Sequence, residues 1–163
     1  MIWVCRAGKN ACYLEMFLEN NRIYLPWEGY KADLSKFDSV VDFRALVIKE
    51  KNIDNQTSVS NWSGQLRSFV NEMQINDLVL LPDVHSRKYH LVKIVNDYEY
   101  LGDKINFSHS RKIKVLVKDI PRNIFPQSIQ YSLGAYRTLF KVKREDDILK
   151  MILMWKEETE RAK

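Results

Sequence analysis

Hydrophobic positions along the chain change period several times, and the changes mark the elements. Over residues 61–73 the apolar side chains Trp62, Leu66, Phe69, Val70 and Met73 recur at three- and four-residue spacing, which predicts a helix with one buried face. The turn Ile75-Asn76-Asp77 leads into an apolar strand over 78–81. A polar loop over 82–88 then returns the chain as a second strand over 89–95, with Tyr89, Leu91 and Val92 among its apolar positions. Asp97-Tyr98-Glu99-Tyr100 leaves the sheet with two tyrosines close together.

Upstream, residues 2–6 read as a first strand and 22–27 as a second, which ends at an edge because Pro26 has no backbone donor. Between them Asn10 is placed to cap a helix whose face carries Tyr13, Leu14, Phe17 and Leu18, and Asn20-Asn21 to end it. Asp38 or Ser39 opens a helix to about Glu50 with Val40, Phe43, Leu46 and Val47 on one face. Residues 51–60, with Asn52, Asp54, Asn55 and Gln56, read as a polar surface loop.

Downstream, 101–110 reads as a polar loop, and 113–118 alternates as a strand with one face turned to water. Pro126 starts a short helix to Leu133 that Gly134 stops, and 138–142 is a closing strand. Glu145-Asp146-Asp147 suit the first turn of a last helix, where the dipole favours carboxylates, with Ile148, Leu149, Ile152 and Trp155 on its apolar face. Five or six short strands mixed with helices predict an α+β domain with a strongly curved sheet or small barrel. Residues 1–142 form that domain; 143–163 form a helix that packs on it or leads to another.

Composition narrows the function only a little. With 163 residues, 45% of them hydrophobic and 29% charged, the chain supports one sizeable core. No apolar run approaches the ~20 residues of a membrane span, and the start lacks the basic and apolar pattern of a signal peptide. Cys5 and Cys12 lack partners for a disulfide or zinc site, so a reducing cytoplasm is expected. A net charge of +5 is compatible with a polyanionic partner.

Catalytic constellations are absent from the sequence. His85, His90 and His109 lack metal-ligand spacing and read as surface residues, and no phosphate loop, nucleophile elbow or zincin motif occurs. The reading is therefore a non-enzymatic chain with no metal and no cofactor. Most aromatics suit the core. Trp27, Trp62, Tyr98 and Tyr100 sit instead at element ends beside amides such as Asn61 and Gln65, a combination able to sandwich a planar group and read its edge. Basic residues interleave with them, and they acquire a phosphate-binding meaning only where several converge on one mouth.

The order of these segments resembles a known family. N-W-S-G-Q-L-R-S-F-V-N-E-M-Q-I-N-D-L-V-L-L followed by Y-H-L-V-K-I-V-N-D-Y-E-Y is similar to the N-terminal specificity domains of Mrr-like and McrB-like modification-dependent restriction proteins and to EVE domains of the PUA-like superfamily. W-V-C-R-A-G resembles that family's first strand and turn. R-I-Y-L-P-W resembles a short strand ending in Trp that is shared with YTH domains, and H-S-R-K-I-K-V a later strand entry. The match covers most of residues 2–142. It departs at Asn76, where a glycine is usual before Asp77 and which a tight turn tolerates because Asn accepts left-handed geometry, and at Lys93-Ile94, where a small residue often lines the strand.

The resemblance implies a PUA-like (EVE/YTH-like) curved mixed sheet flanked by helices. It also implies a non-catalytic DNA-binding module that flips a modified, methylated base into an aromatic pocket within a restriction or antiviral defence system, with catalysis in a nuclease or NTPase motor domain or subunit. On that reading Trp27 and Tyr98 are pocket walls, with Trp62 or Tyr100 as third aromatic. Asn61 and Gln65 read the base edge, and Arg6, Arg87, Lys88, Arg111 and Lys112 hold phosphates. Trp27→Ala and Tyr98→Ala are then expected to remove the preference for modified DNA with little change in melting temperature. Two alternatives stand beside it: an RNA or modified-nucleoside binder, and a protein-interaction module docking through the helix of Trp155.

Overall fold

Alternation along the strands accounts for how the chain is layered. The computed structural model describes residues 1–27, 29–53, 55–102 and 107–163. Asp54 and residues 103–106 of the expected loops lie outside that set. Strand β1 (Ile2–Cys5) is buried along its whole length because both sheet faces are covered. Trp3 and Cys5 pack with Val79, Leu81 and Val92 in one core, while Ile2 and Val4 pack with Leu80 and Leu91 in the other.

The remaining strands are β2 (Arg22–Tyr24), β3 (Leu78–Asp83), β4 (Lys88–Ile94), β5 (Glu99–Tyr100), β6 (His109–Pro121) and β7 (Leu139–Lys141). The order is β2-β6-β4-β3-β1-β7, and β5 also pairs with β6. β1 runs parallel to β3, and the other pairings are antiparallel. β6 carries β2 and β5 at its start and β4 further on, with register shifts against β4 between Tyr89 and Val92. The mixed seven-stranded sheet curls into a half-barrel.

Among the described residues five α-helices cover it: α1 (Leu14–Asn20), α2 (Val40–Lys51), α3 (Gln56–Arg67), α4 (Gln127–Leu133) and α5 (Glu145–Arg161). α1 to α3 supply Phe17, Phe43 and Leu66 to the first core, and α4 and α5 supply Ile129, Leu133, Ile148 and Ile152 to the second. The α+β class and strongly curved mixed sheet expected from the sequence are therefore present.

Several local signals act as expected. The Ser39 hydroxyl accepts from the Asp42 amide at the start of α2. Asn21 ends α1 at φ 50°, and Asn76 adopts φ 78° in the turn before β3. Gly134 follows α4, and three carboxylates open α5.

Other expectations are corrected. Asn10 lies in a short 3-10 turn, and α1 begins only at Leu14. The polar stretch read as a loop is largely helix, since Asn55 caps α3 by accepting from Ser58 N. Its polar side chains are used: Arg44 of α2 donates to Gln56 and Ser60, which ties the two helices together. A π turn (Ser68–Glu72) then extends α3, carrying Phe69 into the core. Tyr100 does not leave the sheet, because β5 pairs with His109 and Ser110, which belong to β6 rather than to a loop. His90 and His109 are buried rather than on the surface.

Candidate nucleic-acid interface

Four segments distant in sequence bring cations to adjoining concavities. The β3–β4 hairpin turns with Arg87 at φ 54° and presents Arg87 and Lys88. The chain leaving β6 presents Arg122, whose backbone N–H donates to Arg87 O at 3.0 Å. With Arg6, Asp83 and Gln130 they line a cavity of 240 Å³. An adjoining groove of 540 Å³ shares Arg87, Lys88, Arg122 and Gln130. A third, of 800 Å³, continues from Arg122 and Gln130 to Arg137, Lys141 and Lys143 past Tyr131 and Tyr136. Arg137, Phe140 and Lys141 also form one wall of a groove of 760 Å³ between β7 and α3. Shared residues thus join four concavities into a belt that runs from the β3–β4 hairpin and the end of β6 to β7.

The belt is positive in sign. Among the described residues its carboxylates are Asp83, 4.0 Å from His90 Nε2, and Glu72, paired with Arg67 at 3.8 Å. Among the described residues, Arg87, Lys88, Arg122, Arg137 and Lys143 have no carboxylate at ion-pair distance. A groove that concentrates unpaired cations focuses its field on an anionic ligand. Arg6 contributes differently: its Nη2 donates to Ala135 O at 2.9 Å, its backbone N–H donates to Thr138 O, and its Nε is buried without a partner among the described residues. It therefore anchors the 135–138 segment of the belt more than it offers a free charge.

The aromatics expected to frame one pocket form two groups. Trp27 meets Trp62 edge-to-face with ring centroids 4.6 Å apart, and its Nε1 donates to Thr138 Oγ1 at 3.2 Å. Tyr30 lies 6.1 Å from Trp27, and Lys51 Nζ sits 4.7 Å from the Trp62 centroid and 5.8 Å from that of Tyr30. That ammonium is held by cation–π attraction. Tyr98 and Tyr100 instead pack on His109 at 5.7 and 5.6 Å. Tyr30 joins the groups, because its carbonyl lies 2.7 Å from His109 Nε2.

The hydrogen bonds select a tautomer for His109. Nε2–H donates to Tyr30 O, Nδ1 accepts from the Tyr98 hydroxyl at 2.5 Å, and that hydroxyl accepts from Leu34 N. Burial pushes the His109 pKa down, in keeping with a neutral ring, and raises that of Tyr98 well above its ordinary value. Tyr30, buried and with no partner for its hydroxyl among the described residues, is pushed up to about 12, by desolvation first and then by Glu50.

The amides and the last two cations are placed as follows. Gln65 is buried, its Oε1 accepting from Leu139 N at 3.0 Å and its Nε2 donating to Asn61 Oδ1 at 3.2 Å. It ties α3 to β7, and exposed Asn61 reaches the groove beside it. Arg111, at 1% exposure, donates to Phe69 O, Met73 O and Asn96 O, so it is a structural cation and not a phosphate ligand. Lys112 is exposed but lies nine residues before Pro121 on β6, roughly 30 Å along the strand at ~3.3 Å per residue, away from the Arg87–Lys88 mouth.

Sequence reasoning missed Arg122, Arg137, Lys141, Lys143, Tyr131 and Tyr136. The available signal was an aromatic beside Arg137 just after the helix-stopping Gly134, and a tyrosine between the buried Ile129 and Leu133 that must face away from the core.

A family model described as a domain of unknown function, DUF8426, matches residues 3–143. The chain belongs to that family. Every belt residue from Arg6 to Lys143 lies inside the matched stretch, and α5 lies outside it. No curated protein matches. A solved crystal structure of a protein from Pseudomonas putida is similar over 93% of this chain and 99% of its own, at 11% identity and a TM-score of 0.44.

Proposed function

We propose that this protein is a non-catalytic nucleic-acid-binding module that holds phosphates along the belt from Arg87, Lys88 and Arg122 to Arg137 and Lys143. The observation that carries the reading is the convergence of cations from separate segments on connected grooves, with no carboxylate paired to them among the described residues. Such contacts bind by releasing counterions, so affinity falls steeply with salt.

Recognition of a modified base in DNA, in a cytoplasmic restriction system with a nuclease or motor as partner, is the specific form of this proposal. The physical demand on it is clear. A base sandwiched between two rings needs walls roughly 7 Å apart, twice the ~3.4 Å stacking rise, whereas Trp27 and Trp62 are 4.6 Å apart. An extruded base entering there has to part the two rings and displace Lys51 from Trp62.

The test is a binding panel of short duplexes differing in one modified base, run with the unmodified duplex and single-stranded DNA and RNA. Tighter binding of one modified duplex supports base reading, and equal affinity for all duplexes removes it. No salt-dependent binding to any of them removes the proposal itself.

A further inference from the structure

Resting on the nucleic-acid reading of the belt, we infer that its ligand is single-stranded, with bases stacked on Tyr131 and Tyr136. These rings are 87% and 99% exposed, more than any other large apolar side chain described. Both line the 800 Å³ groove whose cations are Arg122, Arg137, Lys141 and Lys143. Neither is needed by the core. On α4 the buried positions are Ile129 and Leu133, so Tyr131 faces away from the sheet. Tyr136 projects from a loop pinned on both sides: Arg6 donates to Ala135 O and Thr138 O, and Trp27 donates to Thr138 Oγ1. The backbone is held while the ring stands in water.

Isolated exposed aromatics need no explanation. Two of them five residues apart in one cationic groove make the combination that single strands use, a charged track for the backbone with aromatic faces for bases. Duplex bases already stack on one another and show only their edges, so a tyrosine face meets a base only where the strand is open. The groove is therefore selective for strand state, not for sequence, because every base has a face to offer.

The experiment uses the full chain, labelled dT and rU oligonucleotides of about 12 nucleotides, and a duplex of the same length, read by fluorescence anisotropy across a salt series. Wild type is expected to bind the single strands at least roughly tenfold tighter than the duplex. Tyr131→Ala/Tyr136→Ala is expected to lose roughly tenfold or more on single strands, with the salt slope, the duplex affinity and the melting temperature unchanged. Tyr131→Phe/Tyr136→Phe retains binding. The dT and rU arms separate DNA from RNA, and a dU oligonucleotide assigns any difference to the 2′-hydroxyl rather than to the thymine methyl. Salt-dependent binding that ignores the tyrosine changes, or a duplex bound as tightly as the single strands, overturns the stacking inference and leaves the belt reading standing. No binding of any oligonucleotide overturns both.

Discussion

Replacing Arg111 by methionine separates a structural from a ligand-binding arginine. The side chain is 1% exposed, and its guanidinium donates to Phe69 O at 3.1 Å, Met73 O at 2.7 Å and Asn96 O at 3.2 Å. One of these carbonyls lies in the π turn, one on Met73 that caps it and one in the loop after β4, so one cation ties the extension of α3 to the sheet. Methionine keeps the apolar stem but orphans three acceptors, each costing ~1–3 kcal/mol. Relief of the buried charge offsets part of this; desolvation already pushes the Arg111 pKa down. The net expectation is a loss of about 3 kcal/mol, a large share of the 5–15 kcal/mol typical of a folded domain. At a urea m-value of ~2 kcal/mol/M the unfolding midpoint moves down by about 1.5 M. Urea denaturation followed by circular dichroism measures this. A midpoint within ~0.3 M of wild type together with weakened oligonucleotide binding would refute the reasoning and return Arg111 to the phosphate-binding set.

Other expectations follow from particular contacts. Trp27→Ala removes a ring that is 9% exposed and packed on Trp62 and Tyr30, costing about 3–5 kcal/mol. The melting temperature should then fall on the order of 10 °C, contrary to the small change expected from sequence, and calorimetry checks it. Gly64→Ala in α3 should stabilise by about 1 kcal/mol, because an added Cβ meets nothing within 4 Å; a lower melting temperature contradicts it. His90 and His109 both have pKa values lowered by burial, so the unfolded chain binds protons that the folded chain refuses. Their contribution is complete above the ordinary value of 6.5 and is lost as pH falls below it. The urea midpoint should drop between about pH 7.5 and pH 5.5, and His109→Gln should flatten the drop; an unchanged midpoint in wild type counts against neutral buried rings.

The strands and most helices were legible because burial imposes a period. β1, β3 and the hairpin are covered on both faces and read as apolar runs, and Ser39 and Asn21 carry the cap chemistry that their positions demand. The first turns of α3 were hidden because Gln56, Thr57, Ser60 and Asn61 face a groove or solvent, with Val59 alone buried among 56–61. The start of β6 was hidden for the opposite reason. His109, Ser110 and Arg111 are buried polar residues satisfied by distant partners, and a local reading takes three such residues for a loop. At the site, Arg6, Arg87 and Lys88 were named from sequence and do line one cavity. Their meeting with Arg122 and the 137–143 segment depends on strand order, which no local pattern encodes.

The claim that the belt is a phosphate track is tested most directly by its salt dependence. Arg87→Gln/Lys88→Gln/Arg122→Gln removes three exposed or half-exposed cations without touching a buried contact. Each phosphate contact contributes about 0.7 to the slope of log K against log salt for a single strand, so the triple variant should lose roughly 2 from that slope. Wild-type affinity should fall linearly on that plot, and the variant should bind more weakly with a much shallower slope, the remainder being carried by Arg137 and Lys143. A variant with the slope and affinity of wild type contradicts the account, because the ligand then does not lie on this surface.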